Sequence, residues 1–70
     1  MRILGVDYSN NKDALVICIT SNINGNMRVV HVETIKDVIS EEQAIELCKC
    51  FYKIFDCDKI MSENLKINLN

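Results

Sequence analysis

Seventy residues, 49% apolar and 26% charged with a net charge of −2, describe one small globular domain and exclude a disordered chain. Eight basic against ten acidic residues exclude the basic footprint of a stand-alone nucleic-acid-binding module. No apolar run approaches the ~20 residues of a membrane-spanning helix, so no membrane partner is expected.

The chain opens on a β-run, Arg2-Ile3-Leu4-Gly5-Val6, that ends on Asp7 and gives way to the polar stretch Tyr8 to Asp13. Val and Ile favour the pleated backbone, and Asn, Ser and Asp favour turns, so strand, turn, strand is expected. A carboxylate ending a buried strand costs several kcal/mol unless it is paired, and a divalent cation is one such partner. Asp7 is therefore the leading candidate ligand. The next run, Ala14 to Thr20, is almost continuously apolar and reads as a central strand covered on both faces. Asn24-Gly25 marks a hairpin turn. Met27 to Thr34 then alternates, with Arg28, Val30, Val32 and Thr34 on one face and Val29, His31 and Glu33 on the other, as expected nearer a sheet edge. His31 reads as a surface or cross-strand residue.

After Lys36 to Ile39, Ser40-Glu41-Glu42-Gln43 forms a capping box, and the two acids suit the positive end of a helix. Apolar positions recur at helical spacing from Ala44 to Phe55, with Glu46, Lys49 and Lys53 outside. The Phe51, Tyr52 and Phe55 cluster, with few basic neighbours, reads as core or partner surface rather than a base-stacking platform. Asp56 to Asp58 ends the helix, Lys59 to Asn64 reads as a fourth short strand, and residues 65–70 form a tail. Cys18, Cys48, Cys50 and Cys57 lack zinc-knuckle spacing, and Met1 leads into a strand rather than a secretory leader. Reduced, buried thiols in an intracellular, cytoplasmic protein follow.

The expected fold is thus α/β, in the order β-β-β-α-β: a three-stranded antiparallel meander, one helix, and a fourth strand parallel to the first through a right-handed crossover. That topology brings Glu63, ending strand four, beside Asp7, ending strand one. Asp13 is mainly a loop or strand-start acid and a third, weaker candidate.

Asp7 to Val16, with its acid, short polar loop, second acid and apolar strand, resembles the ribonuclease H-like superfamily, and within it the nuclease domain of the phage terminase large subunit. Ile60-Met61-Ser62-Glu63-Asn64 is similar to that family's later strand, which ends in an acid often followed by Asn. The resemblance spans residues 2–64 and makes 1–64 a nuclease segment. It implies a metal-dependent endonuclease that cleaves double-stranded DNA by a two-metal mechanism. Asp7 would bridge two Mg²⁺ or Mn²⁺ ions, Glu63 would hold one, and Asp13 would order the loop or join the site. The family's third acid lies on a later element and its ATPase domain precedes the nuclease. The resemblance therefore implies a truncated nuclease, incomplete alone, whose partners are the remaining terminase segments or a second copy of itself. Two other readings stand beside it. One is a non-catalytic interaction or oligomerisation module, which the short length favours. The other is the phosphate-binding hairpin of an actin-like ATPase, disfavoured by the absence of glycine from Tyr8-Ser9-Asn10-Asn11.

Overall fold

A computed structural model describes every residue except Asn10, Ile39 and Asn70. The middle of the expected polar loop, the last residue before the helix cap and the end of the tail therefore lie outside the described residues. The elements are β1 (Arg2–Ser9), β2 (Ala14–Ile23), β3 (Asn26–Lys36), α1 (Glu41–Ile54) and β4 (Lys59–Ser62), as the sequence order predicts. They form one four-stranded sheet in the order β3-β2-β1-β4. β1 pairs antiparallel with β2, β2 antiparallel with β3, and β1 parallel with β4.

Local chemistry accounts for each junction. Asn24 and Gly25 both adopt positive φ, 54° and 81°, the backbone that a two-residue hairpin matched to the strand twist requires. Ser40 accepts a hydrogen bond from the Gln43 amide at 3.1 Å and caps α1, with Glu41 and Glu42 in the first turn. Ser40→Ala should cost about 1 kcal/mol, read as a lower urea midpoint at unchanged slope. At the other end, Asp56 turns left-handed at φ 53°, its amide donating to the Lys53 carbonyl and that of Cys57 to Tyr52. These two bonds close a Schellman motif, with Asp in the place glycine usually takes.

The helix C-terminus is clasped to the start of β1. The Arg2 guanidinium donates to the Phe55 carbonyl at 2.6 Å, placing a positive charge at the negative end of the helix. The Arg2 amide donates to the Asp58 carboxylate, and the Asp58 amide donates back to the Arg2 carbonyl. β4 therefore enters the sheet beside β1 in fixed register.

The core lies on one side of the sheet only. Leu4 and Tyr8 of β1 and Leu15, Ile17 and Ile19 of β2 are buried against Ala44 and Cys48 of α1, with Val38, Cys57 and Leu65 completing the cluster. Leu65 and Ile67 dock on this core, so the segment after Asn64 packs against the body of the domain. The alternate residues of β2, from Ala14 through Val16 and Cys18 to Thr20, are only half-buried. The expectation that β2 is covered on both faces is thus corrected. The strand is central, but an unbroken apolar run carries no period-two signal to show that one face is open.

β3 is the expected edge strand, with its faces rearranged. An irregularity at Ile19/Thr20 shifts the register, so His31 pairs with Ile19 while Val29 pairs with Thr20. Val29 therefore joins Val32 on the open face, instead of lying with His31 and Glu33. One extra residue at a bulge reverses the alternation beyond it, and periodicity alone does not locate that point. His31 turns toward the helix, stacked on Phe55 with ring centroids 4.9 Å apart, and its Nε2 lies 3.0 Å from the Glu33 carboxylate. Two further expectations are adjusted. Ile54, assigned to the apolar helix face, is 74% exposed. Of the four free thiols, Cys48 and Cys57 are buried, Cys18 is half-buried and Cys50 is exposed.

Candidate metal centre

Asp7 and Glu63 meet because β1 and β4 run parallel. Val6 is the register partner of Ser62, so each acid stands one residue further along its own strand direction. The two acids line one open depression together with Gly5, Ile60, Met61 and Ser62. Along β1, Leu4, Val6 and Tyr8 turn toward the helix, which leaves Asp7 on the opposite, open face.

Asn64 holds the two strand ends together. Its side-chain amide donates to the Tyr8 carbonyl at 2.5 Å, directly after Asp7, while the Ser62 hydroxyl accepts from the Leu65 amide at 3.1 Å. The chain following β4 is thus folded back along β1, and Glu63 is confined to the neighbourhood of Asp7. Sequence order predicts the meeting of the two acids; the Asn64 bridge, joining residues 56 positions apart, is a tertiary contact that local pattern does not reveal.

Asp7 does not end its strand, because β1 runs on through Tyr8 and Ser9, and Glu63 lies just past β4, which stops at Ser62. Asp7 is also exposed rather than buried, so the expected desolvation cost does not arise. No burial penalty demands a partner for it. What distinguishes Asp7 is its neighbour of like charge. Glu63 is exposed as well, and neither carboxylate has a side-chain hydrogen bond or ion pair among the described residues. Their oxygens are therefore available to a ligand.

Asp13 is not among the residues lining the depression. It sits in the turn just before β2, in the left-handed region at φ 47°, and its carbonyl accepts the Val38 amide at 2.9 Å, tying that turn to the segment before α1. Gly5 lines the site without being forced by it, since an added Cβ would meet only the Cys18 carbonyl oxygen at 3.5 Å, an ordinary contact.

The donor set decides what the site could hold. Two solvated carboxylates suit a hard, oxygen-seeking cation that retains most of its water, and not a soft metal that needs thiolate or imidazole. Among the described residues no group of three or more His, Cys, Asp or Glu side chains is arranged to hold a metal. Asp7 and Glu63 therefore offer at most two protein ligands to such a cation. No family model, no characterised protein and no solved structure matches the chain. No helix among the described residues is long and apolar enough to cross a membrane.

Proposed function

We propose that the chain is the carboxylate-bearing half of a metal-dependent nuclease site of ribonuclease H-like, terminase type, acting on double-stranded DNA in the cytoplasm. One observation supports this above all: two acids far apart in sequence line one open depression along the parallel strands β1 and β4, with no other partner among the described residues. Asp7 and Glu63 would hold Mg²⁺ or Mn²⁺, with Asp13 ordering the turn before β2. When bound, such ions lower the pKa of a coordinated water and offset the charge of a phosphodiester.

The chain's own contribution is positional. The rigid β1 ladder fixes Asp7, and the Asn64 bridge fixes the backbone that carries Glu63. Two carboxylates supply no base-reading group, so sequence-independent binding through the phosphate backbone is expected. A fully formed nuclease site needs a further acid, and the remaining terminase segments are the partner that would bring it.

The test is calorimetric titration of Mn²⁺ and Mg²⁺ into the wild-type chain and into Asp7→Asn. Two carboxylate ligands predict a dissociation constant on the order of 1 mM for the wild type, weakened at least about tenfold in the variant. A flat wild-type titration up to about 10 mM, or identical binding by Asp7→Asn, would overturn the reading.

A further inference from the structure

The face of the sheet turned away from α1 is apolar and uncovered. Met27, Val29 and Val32 of β3 and Met61 of β4 are each more than half exposed on it, and the half-buried Val16, Cys18 and Ile3 lie between them. Val32, at 58% exposure, pairs with Cys18, and Met61 pairs with Gly5, so this is one continuous surface running from edge to edge. A single four-stranded sheet with such a face is half of a sandwich.

Its charges specify what would cover it. β1, β3 and β4 all point the same way, because β2 is antiparallel to both β1 and β3 and β4 is parallel to β1. Lys36, paired with Ala14 on the open face, therefore stands at the same end of the sheet as Asp7 and Glu63, but at the opposite edge. A two-fold axis parallel to the strands, passing between β2 and β1, superposes the β3 edge of one copy on the β4 edge of another. Lys36, level with Ser9, then stands two residues beyond the Asp7 and Glu63 level of its mate, about 7 Å along the strands and within the span of an extended lysine side chain, and it does so twice. The face is thus complementary in charge to a second copy of itself turned edge for edge. Lys59, at the other end of β4, stays at the rim, where its stem can lie on apolar surface and its ammonium in water.

Size is sufficient. The four strands, of 8, 10, 11 and 4 residues, lie about 4.8 Å apart and rise about 3.3 Å per residue, a footprint of roughly 500 Å² per copy or about 1,000 Å² in all. That reaches the lower bound of specific interfaces, at about 1,000 Å².

We infer that the chain associates as a face-to-face homodimer, a two-sheet sandwich closed by reciprocal contacts between Lys36 and the Glu63 corner. The apolar strip from Val32 to Met61 supplies the driving force, and the lysine–acid contacts fix which way round the two copies meet. The partner's ammonium and a divalent cation compete for the same carboxylates. The experiment is therefore run with a chelator, which keeps its result independent of the metal reading.

Sedimentation velocity of the full chain in chelator and reductant, from about 5 to about 300 µM, should show a reversible monomer–dimer equilibrium. Val32→Lys, at an exposed position that a folded monomer tolerates, should leave only monomer with an unchanged circular dichroism spectrum. Lys36→Glu should weaken association at least tenfold, and the swapped pair Lys36→Glu/Glu63→Lys should recover most of that loss. Alkylation of Cys18, on the buried face of the dimer, should slow as concentration rises, while that of Cys50, exposed on α1, should not. A wild-type chain that is monomeric throughout overturns the inference. So does association indifferent to Val32→Lys, which would place the contact on the β3 edge, and so does a charge swap that restores nothing.

Discussion

Ile17→Ala should unfold much of the population at physiological temperature, whereas Val32→Ala, one strand away, should scarcely register. Ile17 is 0% exposed at the centre of β2, facing α1, with Val6 and Glu33 as its cross-strand neighbours. Removing three carbons there forfeits their transfer free energy and leaves a cavity that a rigid sheet cannot close, at a cost of about 3–4 kcal/mol. A 70-residue domain has roughly 4–10 kcal/mol of stability to lose, and each kcal/mol moves the melting temperature by about 4–8 °C. Melting should therefore fall by more than about 10 °C. Val32 is of similar size and in the same sheet, but it faces solvent in the monomer, and its truncation should change stability by less than about 0.5 kcal/mol. Measured at low micromolar concentration, the contrast reads directly which side of the sheet is the core. Equal losses would mean that both faces are packed.

Alkaline pH should be the second strong lever. Burial among apolar side chains pushes the Cys48 thiol from 9.0 up to about 11, and burial also raises Cys57, partly offset by the Arg2 guanidinium. Below pH 9 the thiols are protonated whether the chain is folded or not, and the full stability is present. Between pH 9 and 11 the unfolded chain releases the Cys48 proton while the folded chain retains it. Unfolding is thereby favoured by about 1.4 kcal/mol per pH unit, or roughly 2–3 kcal/mol across the window. Urea melts at pH 7.5, 9 and 10.5 under reductant should show this fall, and Cys48→Ala should flatten it despite starting from a lower stability. Parallel pH profiles for the two chains would refute the assignment to Cys48.

Both predictions depend on sidedness, and sidedness is where the sequence is least informative. The hairpin, the helix start and the strand order follow from short-range chemistry: positive φ at Asn24-Gly25, the Ser40 cap, and alternation in β3. The meeting of Asp7 with Glu63 follows as well, because strand order and the parallel β4 determine it. Which face of β2 is covered does not follow, since Ala14 to Thr20 is apolar on both. Nor does the exchange of Val29 from one face to the other, which hangs on a single extra residue. His31 beneath Phe51 and Phe55, the burial of Val38 and the docking of Leu65 and Ile67 are likewise products of assembly. Each is fixed by what packs above it, and isolated side chains in a loop or strand carry no record of that.

The order in which the chain can assemble follows from how β4 is attached. β2 and β3 are neighbours across a two-residue turn and can zip in microseconds, and β1 joins across the next short turn. β4 is held to β1 through Arg2–Asp58 and Asn64–Tyr8, both spanning 56 positions, so its docking closes nearly the whole chain into a loop and must wait for α1. Asp7 belongs to the meander, whose pairings are all between neighbouring segments, whereas Glu63 arrives with the last strand. The acidic pair is thus a product of the final folding event, and any ligand that requires both acids will register only chains that have completed it.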